Sequence, residues 1–179
     1  MRHIVIGFAA ALALGAAGCA EVEKVVDDVT ASTASASTAE EFVPAAASSN
    51  MFEIESSRLA LNRSQSPDVR QFANKMIADH QQAGQQMKTT AAAAGITAPA
   101  ERLQPRHQEM LDELRGMRGA EFDSRYIEMQ RLAHKEAISL FESYAEDGDR
   151  PALKSFARST LPTLQQHHEH VEMLENNRR

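Results

Sequence analysis

Four residues stand where their types and spacing could do chemistry. His80 interrupts an apolar helical stripe in FANKMIADHQQAGQQM (residues 72–87), between Phe72 and Met76 on one side and Ala83 and Met87 on the other. His134 shares a helical face with Asp123, Ile127, Gln130 and Phe141, and His167 lies between Leu164 and the pair Val171 and Leu174. Glu53 lies on a face of small residues with Ala46, Ser49 and Ala60. Three imidazoles and a carboxylate are good ligands for one transition-metal ion, Zn, Cu, Ni or Fe. Asp79, Asp123 and Gln130 are spaced to serve behind them, fixing the histidine tautomers. The competing reading needs no metal: each histidine would be hydrogen-bonded inside a polar core. Ligands spread over the chain lack the specificity of a compact motif, so both readings stay open.

The elements that must position these groups are helices. The first is expected over Phe42–Arg63. Ser66 can cap the second, with Pro67 in its first turn, and Gly95 can end it after about Ala94. A connection carrying Pro99 and Pro105 follows. Within it, RHQEMLDELRG predicts a short helix with Met110, Leu111 and Leu114 facing inward, and His107 is expected to be solvated. The third long helix spans Gly119 to Asp147. Pro151 opens the fourth, which runs to about Asn176. Four amphipathic helices of this length most simply bury their stripes on one another, giving an all-α four-helix bundle with a short extra helix between the second and third long helices.

Counting places the four groups at one height. Glu53 lies twelve residues before a turn centred on Gln65, and His80 fifteen after it. His134 lies fifteen before a turn centred on Asp149, and His167 eighteen after it. Each mismatch is three residues, about 4.5 Å along a helix, which side chains can bridge. The heights agree whether the connection after Ala94 is a local turn or a long crossover. Glu55 fits less well.

The start, MRHIVIGFAAALALGAAGCA, pairs Arg2 with an apolar run too short to span a membrane, then small residues before Cys19, the single cysteine. It predicts an export signal over 1–18. The ending AAGC is similar to a lipoprotein box, although Ala16 stands where Leu is usual, and it makes Cys19 the acylated first mature residue. Ala20 after it, rather than Asp, points to the periplasmic side of the outer membrane; the alternative is a soluble periplasmic protein. Residues 20–41, with TASTASASTAEE, read as a flexible tether, leaving 42–179 for the bundle. One cysteine permits no internal disulfide. The formal charge is −6, and one unit more negative once Arg2 leaves with the signal. This excludes a nucleic-acid-binding surface and a polybasic grip on anionic lipid, so any membrane attachment goes through Cys19.

FANKMIADH (Phe72, Ala73, Met76, Asp79, His80), GAEFDSRY…Q…H (Gly119, Phe122, Asp123, Tyr126, Gln130, His134) and LPTLQQH (Leu161, Pro162, Leu164, His167) together resemble the domain of unknown function 4142 family. The resemblance runs from Phe42 to Leu174, and EIE at Glu53–Glu55 sits where the family places an acidic residue. It implies a ferritin-like four-helix fold and an exported protein of the outer membrane, and it supplies no activity. A di-iron ferritin-like site needs Glu-x-x-His on two helices, and no Glu here stands three residues before a His. Iron storage and ferroxidase chemistry are therefore rejected. No nucleophile motif or phosphate loop supports an enzyme. The expected function is an envelope lipoprotein binding one metal ion, for metal handling or stress protection, with a metal-free structural or interaction module as the alternative.

Overall fold

The computed structural model describes residues 36–97 and 102–178. The expected signal peptide, Cys19 and residues 20–35 of the expected tether lie outside the described residues. Five helices follow in order: α1 (Ala39–Arg63), α2 (Pro67–Ala93), α3 (Pro105–Gly116), α4 (Gly119–Asp147) and α5 (Pro151–Asn176). Among the described residues there is no strand, and no helix is long and apolar enough to cross a membrane. The fold is the all-α, ferritin-like four-helix bundle, with α3 as the short extra helix.

Local chemistry sets the boundaries. Ser66 Oγ accepts from Val69 N–H at 3.4 Å, with Pro67 in the first turn of α2. Gly95, at φ 76°, closes α2, and Ile96 N–H returns to the Ala91 carbonyl at 2.9 Å. The first helix starts at Ala39, three residues before the expected Phe42, because a local capping box of Thr38 and Glu41 opens it and a distant turn adds a second cap. Asp149, between α4 and α5, accepts from Ala39 N–H at 2.9 Å and from the Tyr144 hydroxyl at 3.0 Å. Thr38 N–H adds a bond to Glu41 Oε2 at 3.4 Å.

The core comes in two apolar blocks. One gathers Phe42, Met87, Ala91, Leu140, Tyr144, Leu153 and Phe156, with Phe42 stacked on Tyr144 at 4.1 Å between centroids. The other gathers Ala60, Val69, Phe72, Phe122, Tyr126, Val171 and Leu174. The start of α1 thus shares an end of the bundle with the end of α2, the end of α4 and the start of α5. Helices α2 and α4 therefore run parallel, and the chain between them crosses the length of the bundle. Around the bundle, α1 packs on α2 and α4, and α5 packs on α2 and α4. Along their helices, His80, His134 and His167 fall between the two apolar blocks.

The crossover helix α3 packs on α1 and α4. Leu111 and Leu114 are buried, as the stripe requires. His107 is also buried, contrary to the expectation of a solvated residue. Its ring stacks on Phe52 at 5.5 Å, and its Nδ1 meets Ser48 Oγ at 2.7 Å. Ser48 Oγ also accepts from Gln104 N–H at 2.7 Å. One buried hydroxyl on α1 therefore satisfies two polar groups at the start of α3. Ser48→Ala strands both, and an unpaired buried polar group costs about 1–3 kcal/mol. Chemical denaturation should show a loss of about 1–3 kcal/mol, mostly from the buried His107 ring, and a loss below about 0.5 kcal/mol would mean that the crossover is not pinned here.

Candidate metal centre

The three histidines expected from sequence converge from three helices: His80 from α2, His134 from α4 and His167 from α5. All are buried. Their ring centroids lie 5.8 Å (His80–His134), 5.4 Å (His80–His167) and 5.5 Å (His134–His167) apart. One ligand nitrogen from each lies within 4.8 Å of the others.

Each ring is anchored through one nitrogen and has the other unpaired. His80 Nδ1 meets Asn50 Oδ1 at 3.1 Å, His134 Nδ1 meets the Gln130 carbonyl at 2.8 Å, and His167 Nε2 meets Asp79 Oδ2 at 2.8 Å. These partners are acceptors, so each anchored nitrogen carries the proton and donates. His80 Nε2, His134 Nε2 and His167 Nδ1 are buried with no hydrogen-bond partner. Their lone pairs are the ones that a neutral imidazole offers a metal.

Electrostatics keep these rings neutral. Burial drives His80 well below the ordinary imidazole range, with His134 and His167 adding to the effect. Burial lowers His134 to about 3 against its bond to the Gln130 carbonyl. Burial also lowers His167, partly offset by Asp79. Burial would raise the Asp79 carboxyl, but hydrogen bonds from Lys75 and His167 hold it below the usual range. Asp79 is thus an anion at the edge of the cluster, bound to Lys75 Nζ at 2.6 Å. A cavity of about 30 Å³ adjoins His80 and His167, lined also by Asn50, Asp79, Thr160 and Thr163.

Glu53 does not join the ligand nitrogens. Its Oε1 lies 3.6 Å from His134 Nδ1, on the anchored side of that ring. The helical count explains why. His80 lies fifteen residues after Gln65, and the residue fifteen before it is Asn50; Glu53 is nearly a turn closer to the bend. Asn50 is the partner that sequence reading missed, and the same count could have found it. Glu53 is buried with both carboxyl oxygens unpaired. Burial pushes its carboxyl well above the usual range, tempered by the nearby Gln130 amide.

The expected supporting residues divide. Asp79 orients His167 through its carboxylate. Gln130 orients His134 through its backbone carbonyl, while its side-chain amide donates to Ser56 Oγ at 3.0 Å. Asp123 reaches none of the histidines and pairs instead with Arg178, at 3.7 Å. His168 lies half-buried at the edge, 3.7 Å from Glu172 Oε1.

The family model for a domain of unknown function, DUF4142, matches residues 25–174. The chain belongs to the DUF4142 family. Among curated proteins, none matches the sequence significantly. Two solved structures are similar in fold. A DUF305 fragment from Deinococcus radiodurans superposes with TM-score 0.67 at 18% identity, covering 76% of this chain and 94% of that one. CopM in its Cu(II)-bound form gives TM-score 0.67 at 18% identity, covering 79% and 98%. At this identity the DUF4142 chain shares their bundle architecture.

The donor set fits a transition metal. Three neutral imidazoles, each fixed from behind, with three buried unpaired nitrogens, match the way proteins hold Zn or Cu. Three protein ligands leave a coordination position for water or a small anion.

Proposed function

We propose that this DUF4142 protein is an exported lipoprotein, anchored at the outer membrane through Cys19, whose bundle core holds one transition-metal ion on His80, His134 and His167. The observation that carries the metal reading is the convergence of three buried histidines, each with a ligand nitrogen within 4.8 Å of the others and each with one ring nitrogen lacking a hydrogen-bond partner. A core built only for hydrogen bonding would pair them, since each unpaired nitrogen costs stability. Copper ranks first among the candidates. Nitrogen-rich sites bind Cu(II) most tightly among divalent first-row ions, and CopM, of similar fold, was solved with Cu(II). The role that follows is metal handling at the cell envelope. Export and anchoring rest on the N-terminal sequence and place no demand on the bundle.

The test is elemental mass spectrometry on the mature chain purified without a histidine tag, repeated after addition of Cu, Zn, Ni or Fe. One ion per chain is expected, lost when His80, His134 and His167 are all replaced by Leu. Unchanged binding in that variant would put the ion elsewhere. No ion under any condition would leave a metal-free structural or interaction module.

A further inference from the structure

Gly84 sits inside α2, one turn beyond His80, and its backbone does not require glycine: the positive-φ glycines among the described residues are Gly95 and Gly119. A glycine within a helix is otherwise a cost. The reason for it lies across the α1–α2 contact. A Cβ at position 84 would stand 2.7 Å from Asn50 Nδ2 and 3.6 Å from Asn50 Cγ, and its three nearest atoms all belong to Asn50. That amide accepts the His80 Nδ1 proton through Oδ1, at 3.1 Å. Asn50 and Gly84 also line a groove of about 280 Å³ between α1 and α2, while Asn50 borders the small cavity beside the histidines.

We propose that Gly84 is a positioning residue for the metal centre: by lacking a side chain it leaves the space in which the Asn50 amide holds His80 with Nε2 turned toward His134 and His167. This rests on the metal reading above for its purpose, though not for its geometry. A methyl group at position 84 would displace the end of a flexible side chain, and the groove has room to receive it. The fold therefore tolerates the change, while His80 loses its acceptor. With Nδ1 no longer held, the proton can sit on either nitrogen and the ring is free to turn.

The test compares the mature chain with its Gly84→Ala, Asn50→Ala and doubly substituted forms. In the metal-free wild type, long-range proton–nitrogen NMR should show His80 as a single tautomer protonated on Nδ1. Gly84→Ala should lose that single tautomer, and its Cu(II) or Zn(II) affinity should fall on the order of tenfold or more. Asn50→Ala should fall equally, and Gly84→Ala should add nothing in that background, where the space is already free. A Gly84→Ala protein with the His80 tautomer and affinity unchanged would overturn the proposal. A further fall in the double variant would overturn it too, since the glycine would then act other than through Asn50. The tautomer needs no ion. A wild type that binds no metal would remove the reading above and still leave the role of Gly84 decided by the NMR comparison.

Discussion

Saturating the chain with Cu(II) or Zn(II) is expected to raise its melting temperature by on the order of 10 °C, and a chelator to reverse the rise. An ion that binds only the folded state, at a thousand times its dissociation constant, adds about 4 kcal/mol. In a domain of this size each kcal/mol moves the midpoint by a few degrees. The unfolded chain cannot offer three imidazoles from α2, α4 and α5 at one point, so its competing affinity is low. The effect should vanish in the chain with His80, His134 and His167 all replaced by Leu. That variant should still fold without the ion, because the loss of three buried unpaired nitrogens offsets the bonds that Asn50 and Asp79 no longer accept. Differential scanning calorimetry with and without ion reads both effects. An identical melting temperature with ion and with chelator would end the metal reading.

Glu53→Gln should stabilise the metal-free protein and weaken its hold on an ion. Glu53 is buried with both oxygens unpaired, and burial raises its carboxyl well above 4.5. The folded state then keeps a proton that the unfolded state releases. Stability from this group is fully present below the unfolded value and is lost as pH rises through the folded one. The advantage of the Gln variant should therefore be smallest below about pH 4.5 and grow as pH increases, by about 1.4 kcal/mol for each unit of the shift. Urea denaturation across pH 4 to 8 measures this, and a gap that shrinks with rising pH would contradict the buried-acid account. The ion works in the opposite sense. Glu53 lies 3.6 Å from His134 Nδ1; the charge of a bound ion would favour the ionised carboxylate there, and a carboxylate behind a ligating imidazole raises its basicity. Removing the acid should weaken Cu(II) or Zn(II) binding about 10–100-fold.

Much of this was legible in the sequence because helices are local. Ser66 with Pro67, Gly95 and Pro151 mark ends through bonds and steric limits within a few residues, and the expected spans of α2, α4 and α5 agree closely with the helices found. The start of α1 lies three residues before the expected one: Thr38 and Glu41 form a local capping pair within the segment read as tether, and only the second cap, Asp149, lies 110 residues away in sequence. His107 was misjudged because its partners lie far off in the sequence. A histidine in a polar connection reads as solvated until Ser48 and Phe52, on another helix, are known to face it. For the histidine cluster, counting residues from the turns was enough to bring His80, His134 and His167 to one level, but it could not say which way a ring turns.

By itself, then, the sequence determined the helices, their apolar stripes and the shared height of three histidines, since these follow from spacing along a rigid helical rise, and its motifs carried the DUF4142 resemblance. The tertiary structure decided the rest. It made α2 and α4 parallel, with α3 in the crossover, because the two apolar blocks pair the start of α1 with the ends of α2 and α4. It placed Asn50 rather than Glu53 against His80, turned Glu53 to the anchored side of His134, and sent Asp123 to Arg178. Those choices depend on how neighbouring helices rotate about their axes, and that rotation is set by packing across the bundle, which spacing along one chain does not encode.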